Sequence, residues 1–472
     1  MRAAAFAVTA LALLAGCGSG PPRPTVVLVT LDTTRAQNLS TYGYRRATDP
    51  FLASLAEQSR VFERAYSTTT WTLPSHVSMF TGLVPAEHGV WFRIEIDGEV
   101  TTFPRVGDQQ PMFTRALSEA GYRLVGAVGG PYCRALYGLA RDFDEYEEPE
   151  SVERAGQGGE WQLTGRELNA RLFEHLRATP ADQPLFVFAN YFDAHAPYEP
   201  PQDRDYPFPE AGELSELLDP DALPIPMPDL TEWVAEGREI LPEYAQLAET
   251  LYDQELLLQD EALSALWTEL DRLGRLDDAL VIITADHGEM FGEQPLAYGH
   301  SSRPWEPVTR VPLLVFRSGH APARIEGPVS VTQVATTILQ ELDLAPLPEP
   351  LDGPLPSLLS GSPVPDDAYA ELHTPDDWVT TLHRGDHKLW SEYLVDEQRL
   401  DPPRHWVIDA ALEDAELLSP ASIEALPPPS DFLIGRITDL RAEWAAAPDL
   451  TARVRLSTDD IEGLKRMGYV ED

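Results

Sequence analysis

Five short apolar runs, rich in β-branched residues, are too hydrophobic to have a solvent-facing side. They occupy residues 25–31 (TVVLVTL), 122–128 (YRLVGAV), 184–191 (PLFVFANY), 279–285 (ALVIITA) and 311–316 (VPLLVF). Between them, apolar residues recur at helical spacing over 49–63, 111–120 and 243–274. Strands that are apolar on both faces and alternate with helices form a mostly parallel sheet buried between helical layers. The sequence therefore predicts an α/β fold.

Polar residues directly follow three of these runs. Asp32 follows the first run, Asp193 and His195 follow the third, and Asp286 and His287 follow the fourth. Ligands of such folds bind beyond the carboxyl ends of the parallel strands. A single aspartate at this place is usually a helix cap or a turn former. Three strands that deliver carboxylates and imidazoles to one edge instead predict a metal or catalytic site.

The charge of the chain limits its partners. The sequence has 77 Asp and Glu against 35 Lys and Arg, and the formal net charge of -42 repels nucleic acids and anionic lipid surfaces. We therefore expect no nucleic-acid partner. An anionic substrate needs a local positive centre, such as a metal ion, to overcome this field. The length of 472 residues is sufficient to bury a large core.

The N-terminus has the pattern of an export signal. A basic residue precedes an apolar run over 3–15 that is too short to span a bilayer, and the run ends in LAGC at 14–17. This ending resembles a bacterial lipobox, which implies a signal peptide over 1–17, lipidation of Cys17 and a short tether over 18–24. We therefore expect an exported lipoprotein on the periplasmic or cell-envelope side, in contact with the membrane only through Cys17. The alternative is an uncleaved hydrophobic anchor.

An ordered set of motifs extends over most of the chain. The motifs are PTVVLVTLDTTRAQNLSTYGY, WTLPSHVSMFTGLVPAEHGV, NYFDAHAPYEPP, IITADHGEMFGE and RVPLLVF. In this order they resemble the motifs of the sulfatase branch of the alkaline phosphatase superfamily. The resemblance implies a mostly parallel sheet sandwiched by helices over 25–345, a Pro-rich linker over 346–366, and a smaller C-terminal subdomain over 367–472. In the family that subdomain is an antiparallel sheet packed with a helix.

The segment Thr72-Leu73-Pro74-Ser75-His76 corresponds to the Cys(or Ser)-x-Pro-Ser-Arg signature of this family. In typical sulfatases the first residue of the signature is oxidised to formylglycine, and threonine is not a substrate for that oxidation. The resemblance to superfamily members with a threonine nucleophile implies that the Thr72 hydroxyl attacks directly. From residue type alone, the simpler role of Thr72 is to cap the helix that follows.

The resemblance also implies a site for one divalent metal ion. Its ligands are expected to be Asp32, Thr72, Asp286 and His287, whereas Thr33 stands where sulfatases often have a second carboxylate. Two carboxylates, an imidazole and an alkoxide suit Mn²⁺ or Zn²⁺ better than Ca²⁺, which prefers six to eight oxygen ligands. We expect Mn²⁺ or Zn²⁺, with Ca²⁺ as the alternative.

Three further histidines are expected in the catalytic pocket. His195 matches the family position near the substrate oxygens and is expected to protonate the leaving group, while His300 resembles the basic residue that contacts the sulfate or phosphate. His76 lies one helical turn after Thr72, on the same face. For each histidine a structural role is the alternative. We expect Arg35 and Glu289 to be solvent-facing.

These features predict a metal-dependent hydrolase of sulfate, phosphate or phosphonate monoesters that uses Thr72 as nucleophile and acts on a small or polymeric anionic ester. Release of a threonine ester without the formylglycine elimination route favours phosphorus over sulfur, whereas the family resemblance favours sulfate esters. Two alternatives are a phospho-group transferase of the same superfamily and a catalytically inactive lipoprotein that uses the sulfatase fold for binding.

Overall fold

The structure is a computed structural model, which describes most of the residues from Arg23 to Leu400 and a few short segments beyond. The described residues are 23–91, 95–97, 100–149, 162–201, 203–208, 242–293, 298–300, 303–348, 355–360, 367–373, 377–384, 387–394, 399–400, 404–407, 416–417 and 452–455. The predicted signal peptide, Cys17 and most of the tether lie outside these residues, as do much of the predicted linker and much of the predicted C-terminal subdomain.

The described strands and helices alternate over the first two thirds of the chain. The strands are β1 (Thr25–Leu31), β2 (Arg60–Tyr66), β3 (Glu95–Asp97), β4 (Val100–Arg105), β5 (Arg123–Val128), β6 (Glu145–Glu147), β7 (Leu185–Tyr191), β8 (Ala279–Thr284), β9 (Met290–Phe291), β10 (Tyr298–Gly299), β11 (Arg310–Val311), β12 (Leu313–Arg317), β13 (Ala323–Ser330), β14 (Asp367–His373), β15 (Asp377–Arg384), β16 (His387–Leu394), β17 (Arg399–Leu400), β18 (Arg404–Val407), β19 (Glu416–Leu417) and β20 (Ala452–Arg455). The α-helices are Pro50–Ala56, Thr72–Thr81, Pro85–His88, Phe113–Glu119, Gly165–Ala178, Pro242–Arg272, Glu306–Thr309 and Gln333–Glu341. Within the described residues, no helix is long and apolar enough to span a lipid bilayer.

Nine of the described strands form the main sheet, in the order β11-β2-β12-β8-β1-β7-β5-β6 with β13 beside β2. The central strand β1 pairs in parallel with β7 and with β8, and β7 continues in parallel to β5 and β6. Every residue of β1, β7 and β8 is buried, as their uninterrupted apolar runs predict. The predicted α/β class, with a mostly parallel sheet, is confirmed.

Two groups of helices pack on the sheet. Gly165–Ala178 and Pro50–Ala56 pack on the long helix Pro242–Arg272, whereas Thr72–Thr81 packs with Phe113–Glu119 and Gln333–Glu341. All ten residues of Thr72–Thr81 are buried, which is more than an amphipathic surface helix requires. The helix that carries the family signature is therefore a core element, so its first turn has little freedom to move.

The structure differs from the sequence pattern at one edge of the main sheet. The predicted helix over 49–63 ends at Ala56, and strand β2 begins at Arg60. β2 pairs antiparallel to β11 and β12 and in parallel to β13. The sequence of β2 gives too weak a local signal for a strand, because its strand state depends on partners that lie about 250 or more residues further along the chain.

A second sheet of six described strands is antiparallel, with the order β14-β15-β16-β18-β19 and with β17 beside β16. Buried charges join it to the first part of the chain. The Glu306 carboxylate accepts from Lys388 Nζ (3.2 Å), His383 Nε2 (3.0 Å) and the Tyr66 hydroxyl (2.9 Å), while Lys388 also donates to the Pro304 carbonyl (2.9 Å). Burial opposes ionisation of Glu306, but Lys388 and His383 outweigh it and hold the pKa of Glu306 well below its usual range.

We predict that Lys388→Met lowers the free energy of unfolding by about 3 kcal/mol, because it leaves the buried Glu306 carboxylate without its main counter-charge. The exposed pair Arg204–Glu261, 2.7 Å apart, provides the control, since Arg204→Met is expected to cost less than about 1 kcal/mol. Urea unfolding measures both values. A double variant Lys388→Met/Glu306→Gln is expected to recover part of the loss, and an unchanged midpoint for Lys388→Met would contradict the prediction.

Candidate active site

Two aspartates and one histidine meet at the carboxyl edge of the main sheet. Asp32 comes directly after β1, and Asp286 and His287 follow the neighbouring parallel strand β8. All three are fully buried, and one ligand atom from each lies within 4.8 Å of the others. The parallel pairing of β1 with β8 brings these residues together although more than 250 positions separate them in the sequence.

One oxygen of each carboxylate is satisfied by the protein and the other is not. Asp286 Oδ1 accepts the backbone N–H groups of Thr33 (3.2 Å) and His287 (2.9 Å), and Asp32 Oδ2 accepts Asn190 Nδ2 (3.4 Å). Asp286 Oδ2 and Asp32 Oδ1 are buried without a hydrogen-bond partner among the described residues. Buried oxygens in native proteins have partners, so these two orphaned atoms fit a bound cation.

The imidazole of His287 is oriented as a ligand. Its Nδ1 donates to the Gly288 carbonyl (3.0 Å), which leaves the lone pair on Nε2. That atom lies 3.5 Å from Asp286 Oδ2 and 3.3 Å from the Thr72 hydroxyl oxygen. Burial lowers the pKa of His287, which keeps the ring neutral, as ligation requires. The donors present fit a divalent metal of the Mn²⁺ or Zn²⁺ type.

The two carboxyl groups have opposite pKa shifts. Burial, together with the charge of Asp286, raises the pKa of Asp32 well above its usual range. Burial acts in the same direction on Asp286, but His287, His76 and two backbone N–H donors outweigh it and lower the pKa of Asp286. Two buried like charges at this distance repel each other strongly unless a cation lies between them.

Thr72 is the first residue of the buried helix Thr72–Thr81, and its N-cap is Trp71. The simpler role of Thr72 as the helix cap is therefore wrong. Its hydroxyl instead points to His287 Nε2, at 3.3 Å. The start of this helix places a partial positive charge beside that hydroxyl, which favours an anion.

His76 lies one turn further along the same helix but does not face an open pocket. Its Nδ1 donates to the Thr72 carbonyl (2.8 Å) and lies 3.8 Å from Asp286 Oδ2, while its Nε2 contacts the Thr30 hydroxyl (2.9 Å). Both ring nitrogens therefore contact protein groups behind the acidic cluster. Burial lowers the pKa of His76, so the ring is neutral.

His300 and His195 form a wall on the other side of His287. The ring centroid of His300 lies 4.4 Å from that of His287 and 5.3 Å from that of His195. His195 is stacked on Phe192 at 4.3 Å, and its Nδ1 donates to the Ala196 carbonyl (2.7 Å). Burial is the main cause that lowers the pKa of His195 to about 3 and that of His300 to about 4.

Comparison with known proteins identifies the family. The family model described as Sulfatase matches residues 24–344. The chain belongs to the sulfatase family. It is 26% identical over 348 residues to the human N-sulphoglucosamine sulphohydrolase, a match that covers 72% of this chain and 62% of that protein. The chain thus spans less than two thirds of the length of this curated relative.

Solved structures share the fold of this sulfatase-family chain. The phosphonate monoester hydrolase of Agrobacterium radiobacter has a TM-score of 0.61 at 18% identity, covering 89% of this chain and 96% of its own. A protein solved with its substrate D-glucosamine-2-N,6-O-disulfate has a TM-score of 0.66 at 16% identity, covering 91% and 99%. The predicted family and its alkaline phosphatase superfamily fold are thereby confirmed.

Two residues of this sulfatase-family site were expected to face solvent and are buried. Glu289 is 1% exposed and accepts from the Tyr198 hydroxyl (3.2 Å) while contacting His300 Nδ1 (3.1 Å). Burial raises the pKa of Glu289 to about 7. Arg35 is 4% exposed, because the helix Pro242–Arg272 brings Glu249 against it at 3.0 Å. The only sequence feature that pointed to Glu289 was its place two residues after His287, and that place does not indicate whether the side chain is buried.

Asp193 follows β7 as the sequence pattern requires, yet it does not join the acidic cluster. Its Oδ1 accepts the backbone N–H of Gly165 (2.8 Å), the first residue of the helix Gly165–Ala178. The described metal-type cluster contains Asp32, Asp286 and His287 but not Asp193. Asp193 therefore has a structural contact at the start of this helix, whose N-cap residue is Thr164, and it is not part of the cluster.

We predict that Asp32→Asn has opposite effects on stability with and without metal. In EDTA, removal of one buried like charge is expected to raise the melting temperature. With Zn²⁺ or Mn²⁺ at about 100 times its dissociation constant, the wild-type chain is expected to gain about 2.7 kcal/mol, and Asp32→Asn to gain much less.

Asp193→Asn is the matched control for this prediction, since Asp193 also follows a strand of the same sheet but lies outside the cluster. It is expected to retain the full metal-induced shift. Differential scanning fluorimetry and metal analysis by mass spectrometry measure both effects. An equal metal-induced shift in Asp32→Asn and in the wild type would contradict the assignment of the ligands.

Proposed function

We propose that this sulfatase-family protein is a metal-dependent hydrolase with Thr72 as its nucleophile, which reacts with sulfate, phosphate or phosphonate monoesters and completes turnover with the phosphate and phosphonate esters. The observation that carries the proposal is the position of the Thr72 hydroxyl. It lies 3.3 Å from the free nitrogen of His287, at the first turn of a fully buried helix and beside two carboxylates with orphaned oxygens. A helix cap would not need any of these neighbours.

In the first step the Thr72 oxygen attacks sulfur or phosphorus in line with the leaving group. The Thr72 hydroxyl gives up its proton to solvent, and its O–S or O–P bond forms as the bond to the leaving-group oxygen breaks. A divalent metal held by Asp32, Asp286, His287 and Thr72 would lower the pKa of the hydroxyl and offset the negative charge of the substrate. The partial positive charge at the start of this helix would stabilise the non-bridging oxygens of the ester.

His195 and His300 are assigned to the leaving group and to the charge of the substrate. His195 supplies a proton to the departing oxygen, and His300 contacts the non-bridging oxygens. Both rings are neutral in the substrate-free protein, because burial lowers their pKa values to about 3 and about 4. A bound anion favours the protonated imidazole, so both histidines take up a proton when the anionic substrate binds.

In the second step, water attacks the Thr72 ester, the bond between the threonine oxygen and phosphorus or sulfur breaks, and the hydroxyl is regenerated. A threonine side chain has no second hydroxyl for the elimination route of formylglycine. We therefore propose that phosphonate and phosphate esters turn over, while a sulfate ester stops at the covalent stage. The similarity to a phosphonate monoester hydrolase fold is consistent with this preference.

The natural substrate is proposed to be an anionic ester outside the cytoplasm. The relatives named above include a human sulphohydrolase of N-sulphoglucosamine and a protein that binds a disulfated glucosamine, which favours sugar-linked esters. Export and lipidation at Cys17 would place the enzyme on the periplasmic or cell-envelope side.

We predict that Thr72→Val lowers kcat for an aryl phosphonate monoester by more than about 10³-fold, since it removes the nucleophile. Thr72→Ser retains a hydroxyl and is expected to keep measurable turnover. Thr81→Val is the matched control, because Thr81 belongs to the same buried helix but its hydroxyl donates to the Val77 carbonyl (2.7 Å). A spectrophotometric assay with aryl sulfate, phosphate and phosphonate substrates measures the rates.

The covalent stage is tested by peptide mass spectrometry of protein quenched during turnover. We expect a phosphonyl or sulfo group on the peptide that contains Thr72. The sulfo form is expected to accumulate with the aryl sulfate. Steady release of sulfate, or activity of Thr72→Val equal to that of Thr81→Val, would contradict the threonine mechanism. Activity that persists after complete metal removal would contradict metal dependence.

A further inference from the structure

A row of three polar residues crosses the centre of the apolar sheet, at or one residue before the carboxyl ends of the strands. Thr30 of β1 lies in register with Asn190 of β7 on one side and with Thr284 of β8 on the other. All three are 0% exposed. Buried polar groups on three adjacent core strands are costly unless they are hydrogen-bonded, so their partners indicate why they are present.

Thr30 and Asn190 connect with the acidic cluster, whereas Thr284 does not. Asn190 Nδ2 donates to Thr30 Oγ1 (3.1 Å) and to Asp32 Oδ2 (3.4 Å), and Thr30 Oγ1 lies 2.9 Å from His76 Nε2. The hydroxyl of Thr284 donates instead to the Pro312 carbonyl (2.8 Å) in the neighbouring chain segment. Two of the three polar residues in the row therefore serve the site.

The direction of each hydrogen bond follows from the groups that can only accept. The Thr72 carbonyl accepts from His76 Nδ1, so the proton of the neutral ring is on Nδ1 and Nε2 is an acceptor. The Thr30 hydroxyl must then donate to Nε2 and use its oxygen to accept from Asn190. The Asn190 amide must present its NH₂ group, because the single proton of the Thr30 hydroxyl is already directed to His76.

The opposite tautomer of His76 would damage the site. With its proton on Nε2, the ring would direct a lone pair from Nδ1 at the Thr72 carbonyl 2.8 Å away and at Asp286 Oδ2 3.8 Å away. Three acceptors would then face one another in a buried space, and the helix that carries Thr72 would be pushed away from Asp286. The Thr72 carbonyl therefore requires the proton on Nδ1, and the Thr30 hydroxyl supplies the donor that Nε2 then needs.

We propose that Thr30 and Asn190 are positioning residues, which hold His76 in the Nδ1-protonated form and thereby fix the first turn of the Thr72 helix against Asp286. The link from Asn190 to Asp32 ties the second carboxylate to the same network. Neither residue touches the substrate. The role in turnover rests on the proposed function of Thr72, whereas the control of the His76 tautomer does not.

Three variants of the full chain test the proposed effect of this network on turnover. Thr30→Val removes the hydroxyl at nearly constant volume and is expected to lower kcat about tenfold or more with KM within about twofold, as loss of an orienting partner does. Thr30→Ser is expected to recover most of kcat. Thr284→Val removes a hydroxyl from the register partner and is expected to keep the wild-type kcat. Circular dichroism melting accompanies each assay.

The result that overturns the proposal is also defined by these variants. A kcat for Thr30→Val equal to that of the wild type, or a loss in Thr284→Val as large as in Thr30→Val, would reduce the network to ordinary core packing. Failure of Thr30→Ser to recover activity would have the same meaning, because the hydroxyl would then not be the group that matters.

Imidazole ¹⁵N NMR of histidine-labelled protein tests the tautomer without any substrate, with His76→Gln used to assign the signals. We expect a protonated Nδ1 and a hydrogen-bonded, unprotonated Nε2 in the wild type, and a shifted Nε2 signal in Thr30→Val but not in Thr284→Val. A protonated Nε2 in the wild type would overturn the proposal. If no ester is turned over, the proposed function fails while this measurement still decides the inference.

Discussion

The repulsion between two buried carboxylates governs the functional end of this molecule. Asp32 and Asp286 come from adjacent parallel strands, so the sheet itself forces their side chains together, and neither contributes its second oxygen to any hydrogen bond among the described residues. Burial raises the pKa of Asp32 while nearby histidines lower the pKa of Asp286. A divalent cation between the two carboxylates would relieve this repulsion. The buried parallel strands stabilise the fold enough to hold the carboxylates together without it.

The Thr72 hydroxyl is positioned by burial of its helix, and Thr72 is not the N-cap of that helix. The helix Thr72–Thr81 is enclosed on all sides, which is unusual for an α-helix in a protein of this composition and keeps the Thr72 hydroxyl beside His287. His76, at the position of the arginine of the family signature, donates from Nδ1 to the Thr72 carbonyl (2.8 Å). Thr and His thus replace Cys and Arg at the start of this helix, and the fold of the family is retained.

How well the sequence predicted the molecule depends on whether a feature is local. The strands β1, β5, β7 and β8 and the long helix were predicted within about two residues at each end, because apolar runs and helical spacing are carried by neighbouring residues. The strand β2 was missed, because its state depends on distant partners. Arg35 and Glu289 were misjudged for the same reason: their burial is imposed by Pro242–Arg272 and by Tyr198, and no neighbour in the sequence indicates it.

The sequence by itself determined the family, the α/β class and the residue types available for chemistry, since these are properties of motif order and hydrophobic pattern. Only the tertiary structure decided which acids meet. Asp193 and Asp286 occupy equivalent places after strands, yet one accepts a backbone N–H at the start of a helix and the other faces Asp32. Strand order and the packing of the helix Gly165–Ala178 choose between these outcomes, and both arise from contacts between residues that are not neighbours in the sequence.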